Sequence, residues 1–466
     1  MPNFELLIDG KMVPGAASLD VINPATEQLA GTCSRASESQ LDEAIEAASS
    51  AQAAWAATPI EERRAAVLKV AEIAAAHAPE LGAILTSEQG KPLPEAVAEA
   101  YGFSMFTQHF AAMEMPVEVL EDSEARRVEV HRTPLGVVGA IIPWNFPLIL
   151  LGFKLGPALV SGNTLVVKPA PTTPLSTLRL AELIKDALPP GVLNVIADAN
   201  DLGSKISAHP KIRKVSFTGS TATGMKVMSS ASSTLKRITL EMGGNDAGLF
   251  LPDLDPKEIA PKIFDAAFGN NGQICIALKR AYVHEDIYDD VCDELATIAK
   301  SKKIGDGTEE GVELGPLQNK AQYEKVQAII ADAAEKGTII AGGGVPDRPG
   351  YFIEPTIVRD IAEGSRLVDE EQFGPALPVI KYSDPEEALA RINRSSDGLG
   401  GSVWSSDAAK ARDLAIRIDS GTVWVNKHAD LDPSIPFSGA KQSGIGTELG
   451  REGFEEFTQR RVINIS

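Results

Sequence analysis

The sequence predicts an α/β fold: two successive α/β domains, the first built on a parallel sheet, and a small β element standing away from them. Three observations carry this expectation. Between Val137 and Ser230 strand-like and helix-like patterns alternate four times, the signature of a parallel sheet with crossover helices, which is the usual dinucleotide-binding architecture. From Arg237 onward helix and strand still alternate, in a chain whose 466 residues exceed a single hydrophobic core. Residues 116–132 (PVEVLEDSEARRVEVHR) instead alternate apolar and charged residues, as a hairpin or edge strand does.

The first residues, to about position 35, read as short strands and turns. Alanine-rich segments at 37–57 and 61–77 place apolar residues at three- and four-residue spacing, with Ser37 and Gln40 suited to a capping box and Pro79 closing the second helix. Helices continue to about Ala112. Four strand and helix pairs follow: VVGAIIP before a helix from Pro147, NTLVVKP before 174–188, VLNVIA before 202–208, and KVSFTGS before 221–230. RITLEMGG opens the second region, with helices over 256–267 and 285–301 and strands at RAYVH, TIIAGG, LPVIKY and TVWVNKH. RRVINIS ends the chain as a lone strand, expected to complete the sheet of another subunit.

A net charge of −20 with few basic runs argues against nucleic acid or an anionic membrane as partner. The three cysteines lack metal-ligand spacing and no HExxH occurs, so neither a disulfide scaffold nor a metal site is expected. The N-terminus shows no secretory pattern, and a reducing cytoplasm is the expected location. The uncharged run 134–153 is long enough to span a membrane, yet Pro143, Asn145 and Pro147 interrupt it; a buried strand, loop and helix is the better reading.

Chemistry centres on FGNNGQICIALKR, where Cys275 stands between Ile274 and Ile276. A thiol there is a nucleophile only if its pKa is lowered or a base takes its proton. FTGSTATG (217–224) follows a strand and opens a helix whose N-terminus could hold a pyrophosphate, or it is a plain glycine-rich connection. It is not a P-loop, because Met225 and Lys226 stand where Lys and Ser or Thr are needed. Lys168 ends an apolar strand, a place to bond ribose or phosphate or simply to be solvated. Asn145 could donate to an oxyanion or cap a loop. Glu241, before two glycines, could be a desolvated base or a satisfied structural carboxylate. None of the six histidines sits in a nucleophile or metal motif.

Taken together, PWNFP, VVKPA, FTGSTATG, LEMGGN, FGNNGQIC, EEQFGP, VWVN and PFSGAKQSGIGTELG, in this order over nearly the whole chain, resemble the aldehyde dehydrogenase superfamily. The resemblance implies a Rossmann-like cofactor domain (1–113 and 134–242), a catalytic domain (243–445) and an oligomerisation element (114–133 and 446–466), assembling into a homodimer or homotetramer. It implies Cys275 as nucleophile, Asn145 with the Cys275 N–H as oxyanion hole, Glu241 as deacylation base, and Lys154 with Glu448 as proton relay. For NAD or NADP it implies Lys168 and Glu371 at the riboses, Trp144 and Phe373 near the nicotinamide, and Gly219 and Ser220 near the pyrophosphate.

The chain departs from the family pattern at Pro171, in NVIADAND (194–201), which lacks the glycines usual after that strand, and at Ser438. Pro171 replaces the glutamate common in NAD-preferring members, which opens the way to NADP, whereas Asp198 or Asp201 in NVIADAND would disfavour it by charge. Ser438 stands where glycine is usual, without obvious consequence. The positions matching the substrate tunnel, Phe146, Leu150, Phe153, Ile274, Ile276 and Phe437, are apolar and suit aliphatic or aromatic aldehydes. The alternatives are a CoA-acylating aldehyde dehydrogenase, which needs no base for water, and a non-catalytic member, which would have lost Cys275 or Glu241.

Overall fold

The structure, a computed structural model, describes residues 4–466. A layer of four helices, α1 (Glu38–Ala57), α2 (Ile60–Ala76), α3 (Ala78–Gln89) and α4 (Leu93–Ala112), packs beside a parallel sheet. At the start of α1 the Ser37 hydroxyl accepts from the Gln40 N–H while the Gln40 amide oxygen accepts from the Ser37 N–H, completing the capping box. Pro79 corrects the expectation that it only ends α2. It sits in the first turn of α3, where its missing N–H costs nothing, so the chain turns at His77 and resumes as helix.

The first sheet runs in the order Lys11–Val13, Leu6–Ile8, Leu193–Val195, Thr164–Lys168, Val137–Ile141, Ile212–Thr218, Arg237–Glu241, Gly444–Ile445. Its five central strands are parallel, with Ile141 beside Lys168, Phe217 beside Ile141 and Thr218 beside Glu241. The carboxyl ends of four strands therefore share one edge. Order reverses between Val137–Ile141 and Ile212–Thr218, so a crevice opens there. The uncharged run becomes the buried strand Val137–Ile141, a loop and the buried helix α5 (Pro147–Val160). Among the described residues no helix is long and apolar enough to cross a membrane.

The second sheet places Thr338–Ala341, Thr356–Arg359, Ala376–Tyr382, Arg280–His284, Ala247–Phe250, Gly400–Trp404 and Thr422–Val425 side by side, parallel but for the first pair. Gly444–Ile445 then returns to pair with Arg237–Glu241 of the first sheet. The terminal strand Thr458–Ile465 is not alone: it pairs antiparallel with Arg127–Pro134 of the same chain, whose other side takes Glu118–Asp122. The hairpin lies too far back in sequence to be seen as its local partner. One edge of the terminal strand remains open.

The carboxyl end of α5 is closed by groups from the helical layer. Trp55 Nε1 donates to Leu159 O at 3.0 Å, and Arg63 Nε donates to Val160 O at 3.0 Å. The Arg63 guanidinium also donates to Ala56 O and Thr58 O, so one buried cation satisfies carbonyls of two segments. Arg63→Met would leave these acceptors without a donor. It should destabilise the protein by about 2–4 kcal/mol, read as a lower urea midpoint at unchanged m-value.

Candidate active site

After the helix Pro256–Phe268 the chain turns sharply, with Asn270, Asn271 and Gly272 at φ of 46°, 55° and 76°. Asparagine tolerates this left-handed region, and a Cβ at 272 would lie 2.4 Å from Gly374 O. The turn is pinned where Asn270 Nδ2 donates to Asn145 O (3.2 Å) and Asn271 Nδ2 to Gly315 O (2.8 Å). It delivers a half-buried Cys275 to a cavity of about 170 Å³ that Trp144, Asn145, Thr218, Gly219, Ser220, Gly243, Glu371 and Phe373 help to line. Burial pushes the Cys275 thiol up to about 12; Lys279 opposes that, while Glu371, Asp246 and Glu241 reinforce it. A thiolate here needs a cation or a base.

Asn145 lies in the loop between the strand Val137–Ile141 and α5, and it is held from both ends. Its Nδ2 donates to Gln273 O at 3.1 Å, which spends one of two amide hydrogens and leaves the other for an oxyanion. Its carbonyl accepts from the Lys91 ammonium at 2.9 Å. Lys91 is ion-paired with Glu99, both fully out of water, and lies 3.6 Å above the Phe146 ring. Glu99 in turn accepts from the Leu148 N–H at 2.9 Å, capping α5 where the Phe146 side chain makes no such bond. Neither Lys91 nor Glu99 was singled out in the sequence. Both come from the helical layer, whose proximity to PWNFP no spacing reveals.

Glu241 closes the strand Arg237–Glu241. Its carboxylate is buried and neither oxygen has a hydrogen-bond partner. Burial, then repulsion from Glu448, holds its pKa well above the ordinary carboxylate value, with Lys154 opposing. Lys154, midway along α5, bonds Thr218 Oγ1 at 2.7 Å and forms a buried ion pair with Glu448. Glu448 is fixed by reciprocal backbone bonds with Phe437, each 2.7 Å.

A second cavity, about 520 Å³, lies at the crevice of the first sheet and shares Pro143, Trp144, Thr218, Gly219 and Ser220 with the first. Lys168 and Pro171 line its far end. Glu371 lies at the other end of the joint cleft, where it accepts from the Gly244 N–H at 3.1 Å. A Cβ at Gly243 would come 2.2 Å from Glu371 Oε2. Trp144 and Phe373 meet edge to face at 5.3 Å. An elongated dinucleotide fits this cleft, with polar groups at each end and an aromatic wall between. Ser220 caps the helix Thr221–Ala231, and the Gly219 N–H donates to Glu241 O at 3.0 Å. What glycine supplies at 219 is space, since a Cβ would meet the Phe217 ring at 2.6 Å.

Both aspartates of NVIADAND pair with a cation. Asp201 pairs with Arg35 on the surface, and Asp198 is fully buried, 2.7 Å from Lys168 Nζ and accepting from the Leu202 N–H at 2.8 Å. The apolar set Phe146, Leu150, Phe153, Ile274, Ile276 and Phe437 does not line either cavity. It belongs to the apolar cluster against which Cys275 packs, with Phe106 and Phe153 centroids 4.5 Å apart. His428 was passed over in the sequence, yet it is buried with Nε2 2.9 Å from Ile276 O and Nδ1 2.9 Å from Ser402 Oγ. Burial depresses it to about 3, so it is a neutral brace for the loop. Among the described residues no cluster of three His, Cys, Asp or Glu could hold a metal.

Residues 12–463 match the model of the Aldehyde dehydrogenase family. The chain is 38% identical to the phenylacetaldehyde dehydrogenase of Pseudomonas fluorescens, over 99% of this chain and 96% of that one. It is 38% identical to a mitochondrial aldehyde dehydrogenase of Leishmania tarentolae, over 99% and 95%. Among solved structures, an aldehyde dehydrogenase from Bacillus cereus superposes with a TM-score of 0.97 at 35% identity, covering 100% of this chain and 96% of that one. A betaine aldehyde dehydrogenase from Staphylococcus aureus, in complex with NAD+, gives 0.96 at 33%, covering 99% and 94%. Similarity of this extent in sequence and fold means that the chain belongs to the aldehyde dehydrogenase family, as an NAD(P)-dependent oxidoreductase acting on aldehydes.

Proposed function

We propose that Cys275 attacks the aldehyde carbonyl and that Glu241 takes the proton from the water that later releases the acid. The observation that carries this reading is Glu241 itself, a buried carboxylate with both oxygens unbonded, acting on the same thiol that faces the cavity. A structural carboxylate would have used those oxygens. Asn145 donates to the thiohemiacetal oxyanion; its donor direction is fixed by Gln273 O, and its backbone is held by the Lys91 ammonium on the backbone carbonyl. When bound, the nicotinamide supplies the hydride acceptor. Glu241 then draws a proton from water, and the Lys154 and Glu448 pair offers the next acceptor.

As a base Glu241 works only when ionised, and its pKa is raised, so deacylation should gain rate as pH rises through that raised value. Glu241→Gln should keep a single burst of NADH and lose steady-state turnover by roughly 100-fold or more. Stopped-flow absorbance checks both phases. A loss of the burst itself would place Glu241 elsewhere in the reaction, and a requirement for CoA in wild-type turnover would favour acyl transfer to a thiol.

NAD is the preferred cofactor on this reading. The Lys168 ammonium is already matched by the buried Asp198 carboxylate, so a 2′-phosphate at that end would meet an anion and find its cation engaged. Pro171 offers it no hydrogen bond in return. Similar structures include NAD+ complexes. Asp198→Asn should lower the NAD to NADP ratio of kcat/KM by about tenfold. The dissociation constants, followed by tryptophan fluorescence, should move the same way.

The substrate proposed is an apolar aliphatic or aromatic aldehyde, supported by the apolar cluster against which Cys275 packs and by the phenylacetaldehyde dehydrogenase among the relatives. Hexanal and phenylacetaldehyde should give higher kcat/KM than succinic semialdehyde. The reverse order in a steady-state panel would overturn the assignment. A homodimer or homotetramer is proposed from the three-stranded sheet, whose open strand and exposed Val119, Leu120, Val462 and Ile465 would be covered by a second copy. A reducing cytoplasm suits a working thiol.

A further inference from the structure

Directly behind the nucleophile lies a charged residue that the mechanism has not used. Lys279 is four residues beyond Cys275, at the end of the loop that enters the strand Arg280–His284, and only 1% of its side chain is exposed. An ammonium has three hydrogens to donate. Those of Lys279 reach Cys275 O at 2.6 Å, Ile274 O at 2.9 Å and Glu371 Oε1 at 3.4 Å, and the ammonium lies 5.9 Å from the centre of the Phe373 ring. One buried cation thus ties the backbone of the nucleophile to the carboxylate at the cofactor end of the cleft.

We propose that Lys279 is a positioning residue for Cys275: its ammonium fixes the nucleophile loop through the two carbonyls and stands as the fixed positive charge that favours the thiolate. The inference rests on Cys275 being the nucleophile. Four charged groups act most strongly on the thiol, and Glu371, Asp246 and Glu241 all oppose its ionisation; Lys279 alone favours it. The groups facing Lys279 itself are Glu371, Asp246, Asp397, Lys325 and the neutral His428. Asp246 is fully buried with Oδ2 unbonded, and burial raises it to about 7, so it withholds much of its charge near neutral pH. Glu371 is then the chief competitor for the ammonium, 3.4 Å away. A hydrogen bond from a cofactor hydroxyl to Glu371 would draw charge away from Lys279 and leave more of its field for the thiol.

The test is the pH dependence of Cys275 alkylation by iodoacetamide in the protein without cofactor, followed by mass spectrometry of the Cys275 peptide from about pH 6 to about pH 11, a range below the thiol midpoint in which a shift of that midpoint is read as a change of rate at fixed pH. In Lys279→Met the midpoint should rise by a unit or more, so that alkylation at a fixed pH below it slows about tenfold. Lys279→Arg should restore most of the shift. Glu371→Gln should move the midpoint the other way, downward, which keeps the proposal testable even where Lys279→Met fails to fold. An unmoved midpoint in Lys279→Met or Glu371→Gln, or a Lys279→Arg profile like that of Lys279→Met, would overturn it. If Cys275→Ser instead kept wild-type turnover, the nucleophile assignment would fail, a result separate from any shift in these profiles.

Discussion

Lys154 reaches from the middle of α5 to Glu448, and both side chains are out of water at the face of the parallel sheet. Two opposite charges can be kept there only because each has the other and further partners, Thr218 for the lysine and Ser216 for the glutamate. Glu241, at the edge of the same sheet, lacks such a partner, and the pair beside it acts on it with both signs. The resulting raised pKa is what a base for water requires. The fold supplies this by ending several strands at one edge, so that desolvated groups from distant parts of the chain share one small volume.

The same economy governs the proposed oxyanion donor. Asn145 is a loop residue whose backbone carbonyl is fixed by Lys91 and Asn270 and whose side-chain rotamer is fixed by the bond from its amide to Gln273 O. Lys91 can be buried because Glu99 neutralises it, and Glu99 can be buried because the N-terminus of α5 also donates to it. The helical layer is therefore part of the active site in an energetic sense, although none of its residues faces the thiol in the cavity. Packing, ion pairing and helix capping converge on a single amide hydrogen.

Charge pairing also shapes the cofactor cleft. At one end Asp198 holds Lys168, and at the other Lys279 holds Glu371, so each group proposed to meet a ribose hydroxyl is oriented by an opposite charge behind it. Orientation of this kind lowers the cost of ordering long side chains when the ligand arrives. It also makes each end sensitive to the sign of what approaches.

The alternation of strand and helix and the capping box at Ser37 were legible in the sequence, because each is written in residues close together along the chain. So were the types of group the chemistry needs, a thiol, a carboxylate, an amide and two lysines. Most partners of those groups were not. Lys91 lies 54 positions from Asn145 and Asp198 lies 30 from Lys168, and no local pattern encodes such separations; the pairing of Lys154 with Glu448, 294 positions on, came only from the family resemblance. The terminal strand shows the same limit, for its partner Arg127–Pro134 is separated from it by both α/β sheets. Sequence determined which groups are present and what local backbone carries them; only the tertiary structure decided which are desolvated together, and desolvation is what suits ordinary side chains to the base, donor and nucleophile roles proposed for them.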